Sequence, residues 1–246
     1  MDKKEIIRTG SVRGLGLIDN WICFREMIDI IKHESRYIIK EPYKSLVGAI
    51  IEIVSERYTS IVSANSILYR ARINNIDFAN RDTERKPFHS EEMGLPPEYI
   101  AKSGRINPEG IPYLYCAGDL DTAAAELRPW KGANLTVGEV AIKKDILIAD
   151  FTSEVEVANW EIFFDDFADM FSIQWPSELK LNYLVTQYFS ECFKSVGIRG
   201  IKYKSEFNSG GNNYALFFKE DYFISKTYSV ETCDISYIFC ERGERE

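Results

Sequence analysis

Apolar residues recur at spacings of three and four along WICFREMIDIIKH, at Trp21, Phe24, Ile28 and Ile31. That period predicts an amphipathic helix, with Asp19 or Asn20 as its cap. Pro42 interrupts, and YKSLVGAIIEIVSERY repeats the pattern with Leu46, Ile50 and Ile53 on one face. Two helices joined by a short loop form a hairpin. Residues 1–62 are therefore expected to be a small helical N-terminal domain that starts with a loose polar arm, and residues 63–246 a second domain. Beyond residue 62 the period changes. Short apolar runs predict strands at 66–72, 113–117, 135–142, 146–151, 200–205 and 214–218, with one more in the tail after Ser229. Helices are expected at 95–103 after Pro96 and Pro97, at 119–126 under an Asp119 or Asp121 cap, at 156–173 and at 177–196. Asp165, Asp166 and Asp169 mark a solvated face on the third of these. Residues 74–92 carry charges and turn residues without a sustained period, which reads as a long loop and a candidate lid. Strands and helices mixed without regular βαβ alternation indicate an α+β fold, a mixed sheet core with flanking helices.

Composition narrows the function more than the fold. The chain has 246 residues, 45% hydrophobic and 28% charged, with a formal net charge of −8. An acidic balance weighs against duplex nucleic acid as the main ligand, since phosphate contact usually needs a basic footprint. Cys23, Cys116, Cys192, Cys233 and Cys240 are odd in number and without CxxC spacing, so no zinc site or disulfide framework is indicated. The only histidines are His33 and His89. They form no metal-binding spacing and flank no nucleophile motif. No metal and no prosthetic group are expected. Neither a signal peptide nor a membrane span is apparent, and a cytoplasmic, reduced protein follows.

Candidate chemistry gathers in RINPEGIPYLYCAGDLDTAAAELRPW, residues 105–130. Arg105 precedes a turn, Tyr115 lies on a strand, and Glu126 ends a run of alanines. Arg70 and Arg72 sit two apart on the first strand of the second domain and so share a face. A guanidinium presents a planar donor fork suited to phosphate. Glu126 placed beside a ribose C1′ would stabilise the cation that develops when an N-glycosidic bond breaks. Ser205 closes a strand before NSGGNN, residues 208–213, whose glycines and asparagines suit a turn or a ligand-lining loop. Taken singly each has an ordinary reading: surface arginines, a solvated carboxylate, a turn hydroxyl.

Their order is more specific. Tyr69-Arg70, then Gly104-Arg105-Ile106-Asn107, Gly110, Pro112 and Tyr115, then Ala123 to Glu126, then Gly200-Ile201, Tyr203, Ser205, Gly210-Gly211 and Asn213, resembles the RES-domain family, over residues 66–220. The resemblance implies a fold similar to the mono-ADP-ribosyltransferases and an activity on NAD⁺ as substrate. Many members are bacterial toxins that deplete NAD⁺ by hydrolysis or phosphorolysis and are blocked by a cognate antitoxin. It implies Glu126, Arg70 and Ser205 as catalytic residues. Arg70 and Arg105 would hold the pyrophosphate, Tyr115 the nicotinamide riboside, and Tyr69 and Asn213 would complete the binding site. Lys204 stands where the family often has proline, and 74–92 is longer than in compact members. Transfer of ADP-ribose to a protein or nucleic acid is the alternative activity, and a non-catalytic nucleotide- or partner-binding module the alternative class. A homo-oligomer is left open.

Overall fold

A computed structural model describes residues 17–74, 87–153 and 161–236. The N-terminal arm, most of the candidate lid and the end of the tail lie outside them. Helix α1 spans Leu17–His33 and α2 spans Tyr43–Arg57, as their periods predict. Strands β1 (Thr59–Val62) and β2 (Ile67–Ile73) follow. In place of the helix predicted at 95–103 there is one 3-10 turn, Glu98–Ile100, because Pro96 and Pro97 hold the entry extended and the chain leaves toward Gly104. Strand β3 (Leu114–Ala117), helix α3 (Leu120–Ala125), strands β4 (Asn134–Ile142) and β5 (Ile146–Asp150) and helix α4 (Glu161–Ser172) come next. A 3-10 segment, Ser177–Asn182, leads into α5 (Tyr183–Ser195). Strands β6 (Gly200–Lys204), β7 (Asn212–Leu216) and β8 (Tyr222–Glu231) complete the order. The last strand thus begins well before the tail in which it was expected.

The eight strands of the described residues form one mixed sheet in the order β1-β5-β6-β7-β3-β2-β4-β8. Only β5 and β6 run parallel. One face of the sheet is covered by α1, α2, α4 and α5. Their apolar stripes meet in a phenylalanine-rich core: Phe24 lies 4.9 Å from Phe163, and Phe167 the same distance from Phe189, both edge to face. Phe151 of the sheet side stacks on Phe171 at 4.6 Å. Asp165, Asp166 and Asp169 stay exposed on the opposite side of α4. The described part of the expected N-terminal domain shares this core. Phe24, Met27, Leu46 and Ile50 belong to the same buried cluster as Phe167 and Phe193, and β1 pairs with β5. The other sheet face buries a smaller cluster around Leu68, Leu114, Val140, Ile148 and Tyr222.

The sheet is narrowly joined at its middle. Between β2 and β4 the ladder runs from Ile67 to Ile73, but between β2 and β3 only Tyr69 and Ala117 pair. Away from that bridge β2 and β3 do not pair with each other, and residues of both line a cleft at this split.

At the other end of the sheet a buried carboxylate ties β1, β5 and β6 together. Asp150 accepts from Ser60 Oγ at 2.8 Å, Thr152 N at 3.0 Å, Thr152 Oγ1 at 2.6 Å and Lys202 Nζ at 3.1 Å. Burial pushes its pKa up, and the donors from Thr152, Ser60 and Lys202 outweigh it, leaving the pKa below the ordinary 3.8. A depressed folded-state pKa contributes stability that is full above the unfolded value and lost as pH falls through the folded one. Asp150→Asn should therefore lower unfolding free energy at pH 7 by about 2–3 kcal/mol. The gap to wild type in urea titrations should narrow as pH falls below 3.8. A pH-independent gap would contradict the assignment.

Candidate active site

Glu126 is presented by a short, well-terminated helix. Asp119 caps α3 by accepting from Thr122 N at 2.7 Å, and Thr122 Oγ1 donates to the same carboxylate at 2.7 Å. The Glu126 amide closes the last turn on Thr122 O at 3.1 Å. Arg128 then takes a positive φ of 47°, just past the helix end.

The carboxylate is gripped on one oxygen. Ser205 Oγ donates to Glu126 Oε1 at 2.7 Å, and Asn213 Nδ2 donates to the same atom at 2.5 Å. The serine proton is assigned by its neighbours. The amides of Phe207 and Asn208 both reach Ser205 Oγ at 3.2 Å, so the oxygen accepts from them and its hydrogen goes to the carboxylate. Glu126 Oε2 has no protein donor among the described residues and is available to a ligand. The glycine loop is built to reach this place. Asn208 Nδ2 donates to Thr122 Oγ1 at 2.8 Å. A Cβ on Gly211 would collide with the Thr122 hydroxyl. The loop therefore packs directly against the first turn of α3.

Six of the seven expected residues come together. Tyr69, Arg70, Tyr115, Glu126 and Asn213 line one cavity of about 120 Å³, with Cys116, Ala117, Leu127 and Tyr203. Ser205 joins through Glu126. The cavity sits at the split between β2 and β3. A larger concavity of about 800 Å³, lined by Leu95, Lys143, Tyr222 and Phe223 among others, holds none of the seven. Its charged lining residues are Glu91, Lys143, Lys219 and Glu220, which include no arginine and no residue of the ordered motifs.

Arg70 crosses the split and donates through Nη1 to Tyr115 O at a long 3.4 Å. Its Nε is buried without a partner, and no ion pair among the described residues involves it. Burial, with the Arg72 charge adding to it and Cys116 and Tyr222 opposing, lowers its pKa from the ordinary value. A guanidinium desolvated and left without a carboxylate is poised for an anion from outside the chain. Arg72, two residues on, is spent on scaffold: it donates to Glu92 O at 2.6 Å and packs over Phe88 at 4.0 Å.

Arg105 is the residue that does not line the cavity. Its guanidinium donates to Phe171 O at 3.1 Å, near the C-terminus of α4, and lies over Tyr203 at 5.2 Å. Its carbonyl accepts from Thr186 Oγ1 of α5. Arg105 thereby anchors two helices on the sheet. Tyr115 is divided between the two roles. Its ring lines the cavity, but its hydroxyl is committed: it accepts from Ile106 N at 3.0 Å and Asn107 N at 3.3 Å, and donates to Asn107 Oδ1 at 2.9 Å. Burial raises this phenol's pKa to about 12, against the two amide donors. Gly104 is required by the same knot, since a Cβ there would lie 2.8 Å from Tyr115 Oη. Tyr203 and Cys116 were not expected at the site. Tyr203 lies on β6 two residues before Ser205, and its place in the ordered motif is the signal that could have found it.

This is an α+β protein whose split sheet holds a carboxylate and an unpaired arginine in one cleft. A family model for the RES domain matches residues 67–235, and the chain belongs to the RES-domain family. No curated protein matches the sequence. Among solved structures, the crystal structure of the M. tuberculosis MbcT–MbcA toxin–antitoxin complex aligns with a TM-score of 0.44. Identity is 11%, over 74% of this chain and 92% of that chain. No helix among the described residues is long and apolar enough to cross a membrane, and no cluster of His, Cys, Asp and Glu among them could hold a metal ion.

Tyr115→Phe should separate the scaffold role from the cavity role. It removes the acceptor for two amides and the donor to Asn107, so it should destabilise by about 2–3 kcal/mol. The midpoint of urea unfolding should fall at an unchanged slope. Retention of wild-type stability would show that the knot carries no weight.

Proposed function

We propose that this protein cleaves the nicotinamide–ribose bond of NAD⁺ and passes the ADP-ribosyl group to water or phosphate. One observation carries the reading. Glu126, with Oε1 held by two donors and Oε2 open, shares a cavity with an arginine that has no counter-ion. Breaking the bond sends its electron pair to the nicotinamide nitrogen, which leaves neutral, and leaves positive charge on C1′ and the ring oxygen of the ribose. The carboxylate stabilises that charge more than it stabilises the positively charged substrate nitrogen further away, which lowers the barrier. Ser205 and Asn213 fix Glu126 before the charge appears, so little reorganisation is needed during the step. Arg70 holds a phosphate oxygen and sets the ribose against the carboxylate. Attack by water on C1′ then gives ADP-ribose and a proton, and attack by phosphate gives the 1″-phosphate.

Membership of the RES family supports an NAD⁺-directed activity. It also supports a toxin role in the cytoplasm, where depleting NAD⁺ arrests growth and a cognate antitoxin protein would restrain the enzyme. No prosthetic group is needed for the step as written.

The test is nicotinamide release by purified protein, with and without phosphate. Glu126→Gln keeps an oxygen for Ser205 and Asn213 and loses only the charge. Its kcat should fall by about 10²–10³, with ADP-ribose affinity within a few-fold of wild type. Arg70→Ala should raise KM about tenfold or more. Wild-type kcat in Glu126→Gln would remove the carboxylate from the mechanism. Labelled protein or nucleic acid in place of free ADP-ribose would move the activity to ADP-ribosyl transfer. No nicotinamide release under either condition would leave a binding module.

A further inference from the structure

The cavity is smaller than the substrate proposed for it. Ligand pockets ordinarily run from ~300 to 1,000 Å³, and this one is about 120 Å³. It can seat the reacting end of a dinucleotide. The remainder must lie outside it, and two residues that the reaction leaves unused sit two positions after Glu126 and Ser205, in contact with each other.

Arg128 follows Glu126 by two positions and is exposed. It stands at a φ of 47°, just past the end of α3, where glycine is the common choice. It makes no ion pair among the described residues. Its guanidinium instead lies over the Phe207 ring at 5.2 Å. Phe207 is 37% exposed, and its amide donates to Ser205 Oγ, the atom that holds Glu126. The pair therefore bridges the two segments that carry the carboxylate and its clamp, and Arg128 adjoins Leu127, which lines the cavity. A cation steadied on a half-exposed ring offers a phosphate fork beside a stacking surface.

We propose that Arg128 and Phe207 form an outer subsite for the adenylate half of the dinucleotide, the guanidinium binding phosphate oxygens and the ring stacking on the base. The subsite rests on the reading of NAD⁺ as substrate. It divides the ligand: Glu126 and Arg70 hold the end that reacts, Arg128 and Phe207 the end that does not. Binding energy from the unreacting half then positions C1′ against the carboxylate.

The experiment is calorimetric titration of the full chain with 5′-AMP, in wild type, Arg128→Ala and Phe207→Leu, beside the nicotinamide-release assay. Both side chains are exposed, so the variants should fold and melt as wild type does. Stacking and phosphate contacts of this kind should make the Kd for 5′-AMP about tenfold weaker in each variant, and KM for NAD⁺ should rise in parallel. The ratio of Kd for 5′-AMP to Kd for nicotinamide is the readout that general damage to the fold would leave unmoved. No heat of 5′-AMP binding in wild type, a Kd within twofold of wild type in both variants, or an equal loss of 5′-AMP and nicotinamide affinity would each overturn the subsite. Weakened 5′-AMP binding in the variants without any nicotinamide release by wild type would keep the subsite and remove the reaction proposed above.

Discussion

Across the middle of the sheet, Tyr69 and Ala117 form the single pair between β2 and β3, and the site exists because that ladder stops there. A fully zipped sheet would pair the backbone of both strands and leave no cleft between them. Here the missing ladder hydrogen bonds are replaced locally. Arg70 reaches Tyr115 O across the gap, and α3 returns from β3 to place Glu126 at its mouth. Unpaired backbone near the sheet centre is costly unless other groups cover it, so the opening depends on the rigidity of what flanks it. On one flank β2 is held along its length by β4. On the other, β3 is held by β7, and the four-helix phenylalanine core backs that half of the sheet.

The carboxylate and the arginine have opposite environments, and the contrast gives the site its polarity. Glu126 is provided with donors before any ligand arrives. Arg70 is provided with almost none. Pre-paired, the carboxylate is fixed in orientation while its second oxygen remains open. Unpaired, the guanidinium retains most of its capacity for an anion and pays in desolvation for that readiness. An ion pair between the two would have been the lower-energy arrangement in an empty protein. Its absence, with both groups lining one small cavity, means that their geometry is set by the backbone and by Ser205 and Asn213 and not by mutual attraction.

Most elements could be read from the chain because their periods are strong. The helices at 17–33 and 43–57 carry apolar residues every three or four positions, and β4 is a nearly continuous apolar run. Two strands escaped. β1 follows α2 without a turn signal, and four residues are too few to show alternation. β8 alternates from Tyr222 on, but its charged and aromatic mixture draws the eye to the more apolar tail. Sheet order was not legible at all. β4 and β5 are joined by three residues yet lie apart, with β6, β7, β3 and β2 between them. Contacts between strands distant in sequence decide that, and no local pattern reports them.

Legibility at the site divides along the same line. Glu126, Ser205, Asn213 and Arg70 could be gathered from motif order, though each alone looks ordinary. Arg105 could not be assigned from its motif, because a Gly-Arg-x-Asn run before an aromatic strand serves packing here as fully as it could serve phosphate. Gly104 admits the Tyr115 hydroxyl, Asn107 closes on it, and Arg105 turns away to the carbonyl end of α4. The motif is thus a rigid corner that fixes the Tyr115 ring, and the ring is what the cavity uses. A residue pattern can persist for the sake of one atom's surroundings while its most conspicuous charge points elsewhere. Of the two motif arginines, Arg70 is the one left with a buried Nε that has no partner.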